Sequence, residues 1–280
     1  MDAVPYYFVD RVFTMLRADQ IRKINVKAPI WREVTQVHKQ KMEIFAVSVY
    51  TGGHRGDLKY SIRSVNLPYQ SPEELMQKDS RFNRVFRLDI YLNGSSRKTL
   101  TEAQLSKFKS LMQYVFQFDL DAVGLQPLSD TLPELKTVLL ASIMRTEALH
   151  MKYYFGADEF LQKQLKCPCL NTLTVGAGKW SPSTKRQLGA FVCQPNFHLL
   201  TCRFDCFGAE SFKRIVTYWR AAQPTKEWTV NVKTNCELID AFHSWLNPSG
   251  EQVFHERIGD YQLTVDSGSI MFCIRLDKLV

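Results

Sequence analysis

Six residues in one stretch of the chain have types that suggest metal chemistry. Cys167-Pro168-Cys169, Cys193, Cys202 and Cys206, with His198 among them, fall within about forty residues, and thiolates with imidazoles are the usual ligands of zinc. The spacing argues against a shared ion. Zinc pairs use gaps of two to four residues so that both ligands turn onto one metal, and Cys167 and Cys169 stand closer than that. Cys202 and Cys206 have a suitable gap, but both fall in or beside a strand-like stretch, where positions four apart lie about 13 Å apart. With seven cysteines in all, an odd number, the reading is reduced thiols in a reducing compartment rather than a disulfide framework. No metal and no other cofactor is expected.

Catalytic patterns are missing as well. The chain holds no HExxH, GxSxG or kinase signature. Val175-Gly176-Ala177-Gly178-Lys179 follows a strand-like run and superficially suggests a nucleotide loop. It lacks the glycine spacing and the trailing Ser or Thr of a phosphate-binding loop, so it reads as a turn. His150 and His198 stand near strand starts, where satisfied structural histidines are common. The chain is therefore read as a binding protein, not an enzyme. The enzyme alternative requires a deep pocket that gathers titratable groups.

Composition supports a folded chain. Of 280 residues 45% are hydrophobic and 23% charged, enough to bury a core and too apolar for disorder. The net charge of +8 is spread along the chain. Its densest stretches, Arg17 to Lys27 and Lys213-Arg214, come with no zinc-finger or RNP-type motif, so no nucleic-acid partner is expected. The longest apolar run, Thr137 to Met144, is far short of a bilayer span. Asp2, Asp10 and Arg11 interrupt any signal-peptide core. The expectation is a cytoplasmic or nuclear protein with no membrane partner.

The elements that would position a binding surface follow from periodicity. Val4, Phe8, Val9, Val12, Phe13 and Leu16 recur at helical spacing, and Asp19 to Asn25 and the stretch after Pro29 give two more short helices. From Met42 the period changes to two. Strands are expected over residues 42–50, Leu58 to Val65 and Arg84 to Leu92, forming a small antiparallel sheet. A short helix near Pro72 to Gln77 lies between the last two. Thr101, Glu102 and Gln104 then resemble a helix start, with Leu105, Phe108, Leu111, Met112, Val115 and Phe116 as its apolar stripe. Beyond Phe118, strand centres near Val123, Met151, Leu173, Leu200 and Val230 alternate with amphipathic helices at the spacing of leucine-rich-repeat-like units, with parallel strands. A plain α/β layer is the alternative. The chain closes on Gln252 to His255, Tyr261 to Val265 and Ile270 to Leu276, read as a hairpin around Asp266-Ser267-Gly268. The fold class is α/β, in three parts: a helical segment (1–41), a small sheet with a helix (42–117) and a strand–helix series (118–280).

Val4-Pro5, Val9, Val12, Leu16, Ile21, Ile24, Trp31 and Val34 fall in the order and spacing of an F-box. That segment opens on a Leu-Pro-type dipeptide and closes near a Trp. The departures are Val4 in place of Leu, and Lys27-Ala28-Pro29, whose proline would interrupt a helix. Glu210 to Val232 is similar to the helix, tryptophan and strand of the F-box-associated domains found in large nematode families, and Met1 to Tyr6 resembles the same group. The resemblance implies a substrate-recognition subunit of a cullin-RING ubiquitin ligase. Val4, Pro5, Val9, Val12, Leu16, Ile21 and Trp31 would dock a Skp-family adaptor, and the C-terminal half would hold an unknown target protein. A stand-alone interaction module, with the first helix absorbed into the core, is the alternative.

Overall fold

The structure is a computed structural model. It describes residues 4–16, 18–51, 58–64, 74, 77, 79, 81–92, 99, 101, 104, 114–121, 143, 145–153, 157–203, 206–222, 226–268 and 270–279. The fold is mixed α/β, and the chain divides into two compact units, Met1–Thr146 and Glu147–Val280.

The first unit opens with α1 (Tyr6–Met15), α2 (Ala18–Lys23) and α3 (Pro29–Lys41). Pro29 begins α3 instead of breaking a helix, because its missing N–H costs nothing at the first position. Val9, Phe13, Ile21 and Val34 are fully buried together, with Trp31, Ile24 and Leu16 packed around them. Four strands follow: β1 (Glu43–Thr51), β2 (Leu58–Ser64), β3 (Asn83–Leu92) and β4 (Tyr114–Asp121). β1 and β2 pair antiparallel, but β3 lies parallel to β1, and β4 parallel to β3. The small sheet is therefore not purely antiparallel. β2 itself runs back along β1, so Ser64 and Asn83 both lie at the end of the sheet where β1 starts, and β3 pairs on the other side of β1 in the same direction as it.

Thr101 and Gln104 do form a reciprocal cap: Gln104 N–H donates to Thr101 Oγ1, and Thr101 N–H to Gln104 Oε1. The expected helix does not reach Phe116, since Val115 and Phe116 lie in β4. Leu105, Phe108, Leu111 and Met112, the strand centre near Val123 and the helical positions 132–139 lie outside the described residues.

The second unit alternates β5 (Arg145–Met151), α4 (Ala157–Leu165), β6 (Thr172–Val175), α5 (Pro182–Val192), β7 (Leu199–Cys202), α6 (Ala209–Ala221) and β8 (Trp228–Lys233). β5 to β8 are parallel and adjacent in chain order. Leu149, Leu173, Leu200 and Val230 stand opposite one another as one buried row. Each helix turns an apolar stripe inward; in α6 it is Phe212, Ile215, Val216 and Trp219, at helical spacing. The entry to α5 is fixed by Ser181, whose hydroxyl accepts from Thr184 N–H, followed by Pro182.

After β8, α7 (Cys236–Ala241) and a π-helical turn (Phe242–Leu246) lead into β9 (Val253–Ile258), β10 (Tyr261–Asp266) and β11 (Met271–Lys278). The closing element is thus a three-stranded meander, not a lone hairpin, and β11 joins it antiparallel to β8. Gly259 takes φ 61° in the turn between β9 and β10, a conformation that favours glycine. No helix among the described residues is long and apolar enough to cross a membrane.

Candidate protein-interaction surfaces

In the N-terminal helices the residues expected to meet an adaptor separate into two groups. Val9 is fully buried against Phe13 and Val34, and so is Ile21. Both are core residues, which corrects their assignment as docking contacts: no partner reaches them while the helices stay packed. Val4, Val12, Leu16 and Trp31 are half-buried, and Pro5 is exposed. The uncovered apolar surface is carried by three residues not assigned to docking from the sequence. Tyr6, Tyr7 and Phe8 are 40%, 76% and 54% exposed. Their signal was an excess: α1 holds more large apolar residues than one helical stripe can bury.

A buried polar node fixes this orientation. Asp10, on the turn after Val9, is almost completely buried, and its carboxylate meets His38 Nε2 of α3 at 2.9 Å. Its other oxygen accepts from Arg81 at 3.1 Å. Burial lowers the pKa of His38, with the Asp10 hydrogen bond pulling the other way. The His38 ring packs between Phe13 and Phe82, with centroids at 5.4 and 5.0 Å. Arg84 donates to the carbonyls of Phe13 (3.0 Å) and Leu16 (3.3 Å), serving the free carbonyls at the end of α1. Its own burial lowers its pKa to about 10. Nothing in the local sequence announces the node, because Asp10, His38, Arg81 and Arg84 come together only when α1, α3 and the entry to β3 are packed.

In the second unit, β6, β7 and β8 alternate between buried and half-exposed positions. The buried side carries Leu173, Val175, Leu200, Cys202, Trp228, Val230 and Val232. The other side carries Thr172, Thr174, Leu199, Thr201, Thr229 and Asn231, all half-exposed, and His150 on β5, which is exposed. His150, Thr174, Thr201 and Asn231 stand in one row. This polar open face is built for hydrogen bonding.

The thiols behave differently from the expectation drawn from strand spacing. β7 ends at Cys202, and both Cys202 and Cys206 are buried thiols. Burial and the neighbouring Cys206 raise the Cys202 pKa well above its ordinary value. Burial also raises those of Cys193 and Cys273. Among the described residues no three His, Cys, Asp or Glu side chains gather as metal ligands would. The Gly176 to Lys179 turn is a built loop. Trp180 is buried, its indole N–H donates to Gly176 O at 3.0 Å, and its ring meets Tyr153 edge-on at 5.0 Å.

No protein family model matches the chain, and no curated protein matches it.

Proposed function

We propose that this chain is a protein-binding, substrate-recognition adaptor. Its N-terminal helices dock a Skp-family adaptor of a cullin-RING ubiquitin ligase, and the C-terminal half holds a target protein. The observation that carries the reading is the cluster of uncovered aromatic side chains in the first turn of α1, Tyr6, Tyr7 and Phe8, on a helix anchored in the core by Val9 and Phe13. Exposed aromatic side chains are common anchors of protein–protein contacts. The F-box-like order from Val4-Pro5 to Trp31 supplies the partner class. The docking residues are accordingly Pro5, Tyr6, Tyr7 and Phe8, with the half-buried Val4, Val12, Leu16 and Trp31 at the margin. In the second unit, parallel strands in chain order with helices between them support a leucine-rich-repeat-like scaffold, whose open face takes the target.

The full burial of Val9 favours a second reading, a stand-alone interaction module with no ligase role. Pull-down of the full chain with a Skp-family adaptor separates the two. Binding by wild type, abolished by Tyr7→Asp with Phe8→Asp while the thermal melt is unchanged, is the expected result. Absence of binding by the folded wild type removes the ligase role and leaves the stand-alone module.

A further inference from the structure

The open face of the second unit ends in a row of cations. The ladder continues one residue past the strands, since Gly176 N–H donates to Met151 O at 2.8 Å and Arg203 N–H to Val175 O at 3.0 Å. Lys152, Gly176, Arg203 and Lys233 therefore extend neighbouring strands at the same level, on the side opposite the buried Met151, Val175, Cys202 and Val232. Lys152, Arg203 and Lys233 are exposed. Lys179 is exposed on the loop that Trp180 and Tyr153 hold beside β6.

Among the described residues Lys179, Arg203 and Lys233 have no ion-pair partner. One level down the same face come His150, Thr174, Thr201 and Asn231, each able to donate a hydrogen bond. No Asp or Glu stands on this face of β5 to β8; past β8 along the row the first is Asp266, reached only beyond Cys273 of β11. Adjacent strands are about 4.8 Å apart, so Arg203 and Lys233 are close enough to engage neighbouring carboxylates of one segment.

Resting on the reading that this face holds a protein target, we infer that its ligand is an acidic peptide segment. The segment would lie across the carboxyl ends of β5 to β8, with its carboxylates on Lys179, Arg203 and Lys233 and its backbone carbonyls on Thr174, Thr201 and Asn231. Charge complementarity selects this occupant: two levels of donors with no carboxylate on β5 to β8 repel a basic segment and desolvate an apolar one poorly. An opening of small polar side chains admits an extended main chain.

The test is anisotropy of a fluorescein-labelled poly-glutamate peptide titrated with the full chain at low ionic strength. Saturable binding that weakens as salt rises is expected. Arg203→Gln weakens it about two- to fivefold, and Lys179→Glu with Arg203→Glu and Lys233→Glu about 10- to 100-fold, as exposed charge pairs add up. A labelled poly-lysine peptide does not bind. All three side chains are exposed, so the thermal melt is unchanged; if the triple variant fails to fold, Arg203→Gln decides. Pull-down of the Skp-family adaptor is unaffected by these variants, which keeps this proposal separable from the docking of α1. No poly-glutamate binding by wild type, or undiminished binding by the variants, overturns the inference. Tighter binding of single-stranded DNA, lost in the same variants, also overturns it and assigns the face to nucleic acid.

Discussion

Phe13 and Phe8 lie on one helix five residues apart, and the structure gives them opposite fates. Phe13 is fully buried, with Trp31 at 6.2 Å and His38 at 5.4 Å, in the cluster with Val9, Ile21 and Val34. Phe8 is 54% exposed. Truncating a buried phenylalanine to alanine removes its transfer free energy and leaves a cavity, a loss of about 3–5 kcal/mol. That raises the unfolding equilibrium constant by about a hundredfold or more. Phe8→Ala removes only about half as much buried surface and leaves no closed cavity, a loss of about 1 kcal/mol. Urea unfolding of the two variants measures the difference. Hydrogen exchange read by mass spectrometry places the loss in α1 to α3, which is needed because two compact units need not unfold together. Equal destabilisation by both substitutions would refute the reasoning: the Tyr6 to Phe8 face would then be covered in the native protein and unavailable to a partner.

The buried His38 makes the first unit sensitive to acid. Its pKa is lowered in the folded protein, so as pH falls through the unfolded value, about 6.5, the unfolded chain takes up the proton first. Stability is full above that pH and is lost as pH falls toward the folded pKa. Thermal melts from pH 8 to 5 should show a steeper loss for wild type than for His38→Asn, and identical slopes would count against a neutral buried imidazole. Gly178→Ala should destabilise by about 1–3 kcal/mol through overpacking, because the added Cβ would overlap Cβ and Cγ of Tyr153. An unchanged urea midpoint would mean that the loop does not rest on that ring.

The strand–helix order of the second unit was legible because each element declares itself locally. Phe212, Ile215, Val216 and Trp219 keep helical spacing, and Leu173, Leu200 and Val230 sit at the centres of short β-rich runs. Strand direction was less legible where strand order carried the information: β3 is parallel to β1 because it pairs on the far side of β1 from β2, a choice of neighbour that periodicity does not encode. Cys202 and Cys206 illustrate the same limit. A period-two reading puts both in one strand, whereas β7 ends at Cys202 and Cys206 lies beyond it. For the interaction face, apolar spacing named Val9 and Ile21, which are core, because an amphipathic pattern identifies the side of a helix that is buried and says nothing of what remains.

That ambiguity is greatest in α1, and the polar node resolves it. Tyr6, Tyr7, Phe8, Val9, Val12 and Phe13 surround nearly the whole helix, so hydrophobic burial alone specifies its rotation weakly. Asp10 specifies it strongly. Only one rotation places its carboxylate on both His38 and Arg81 while Arg84 reaches the carbonyls of Phe13 and Leu16. Turning the helix by one residue, about 100°, would pull the carboxylate away from both partners. An unpaired buried charge is costly enough to exclude that alternative, even though the paired cluster adds little net stability over an apolar one. The charged residue thus selects which aromatic side chains face outward, and Tyr6, Tyr7 and Phe8 are exposed as a consequence of where Asp10 is buried.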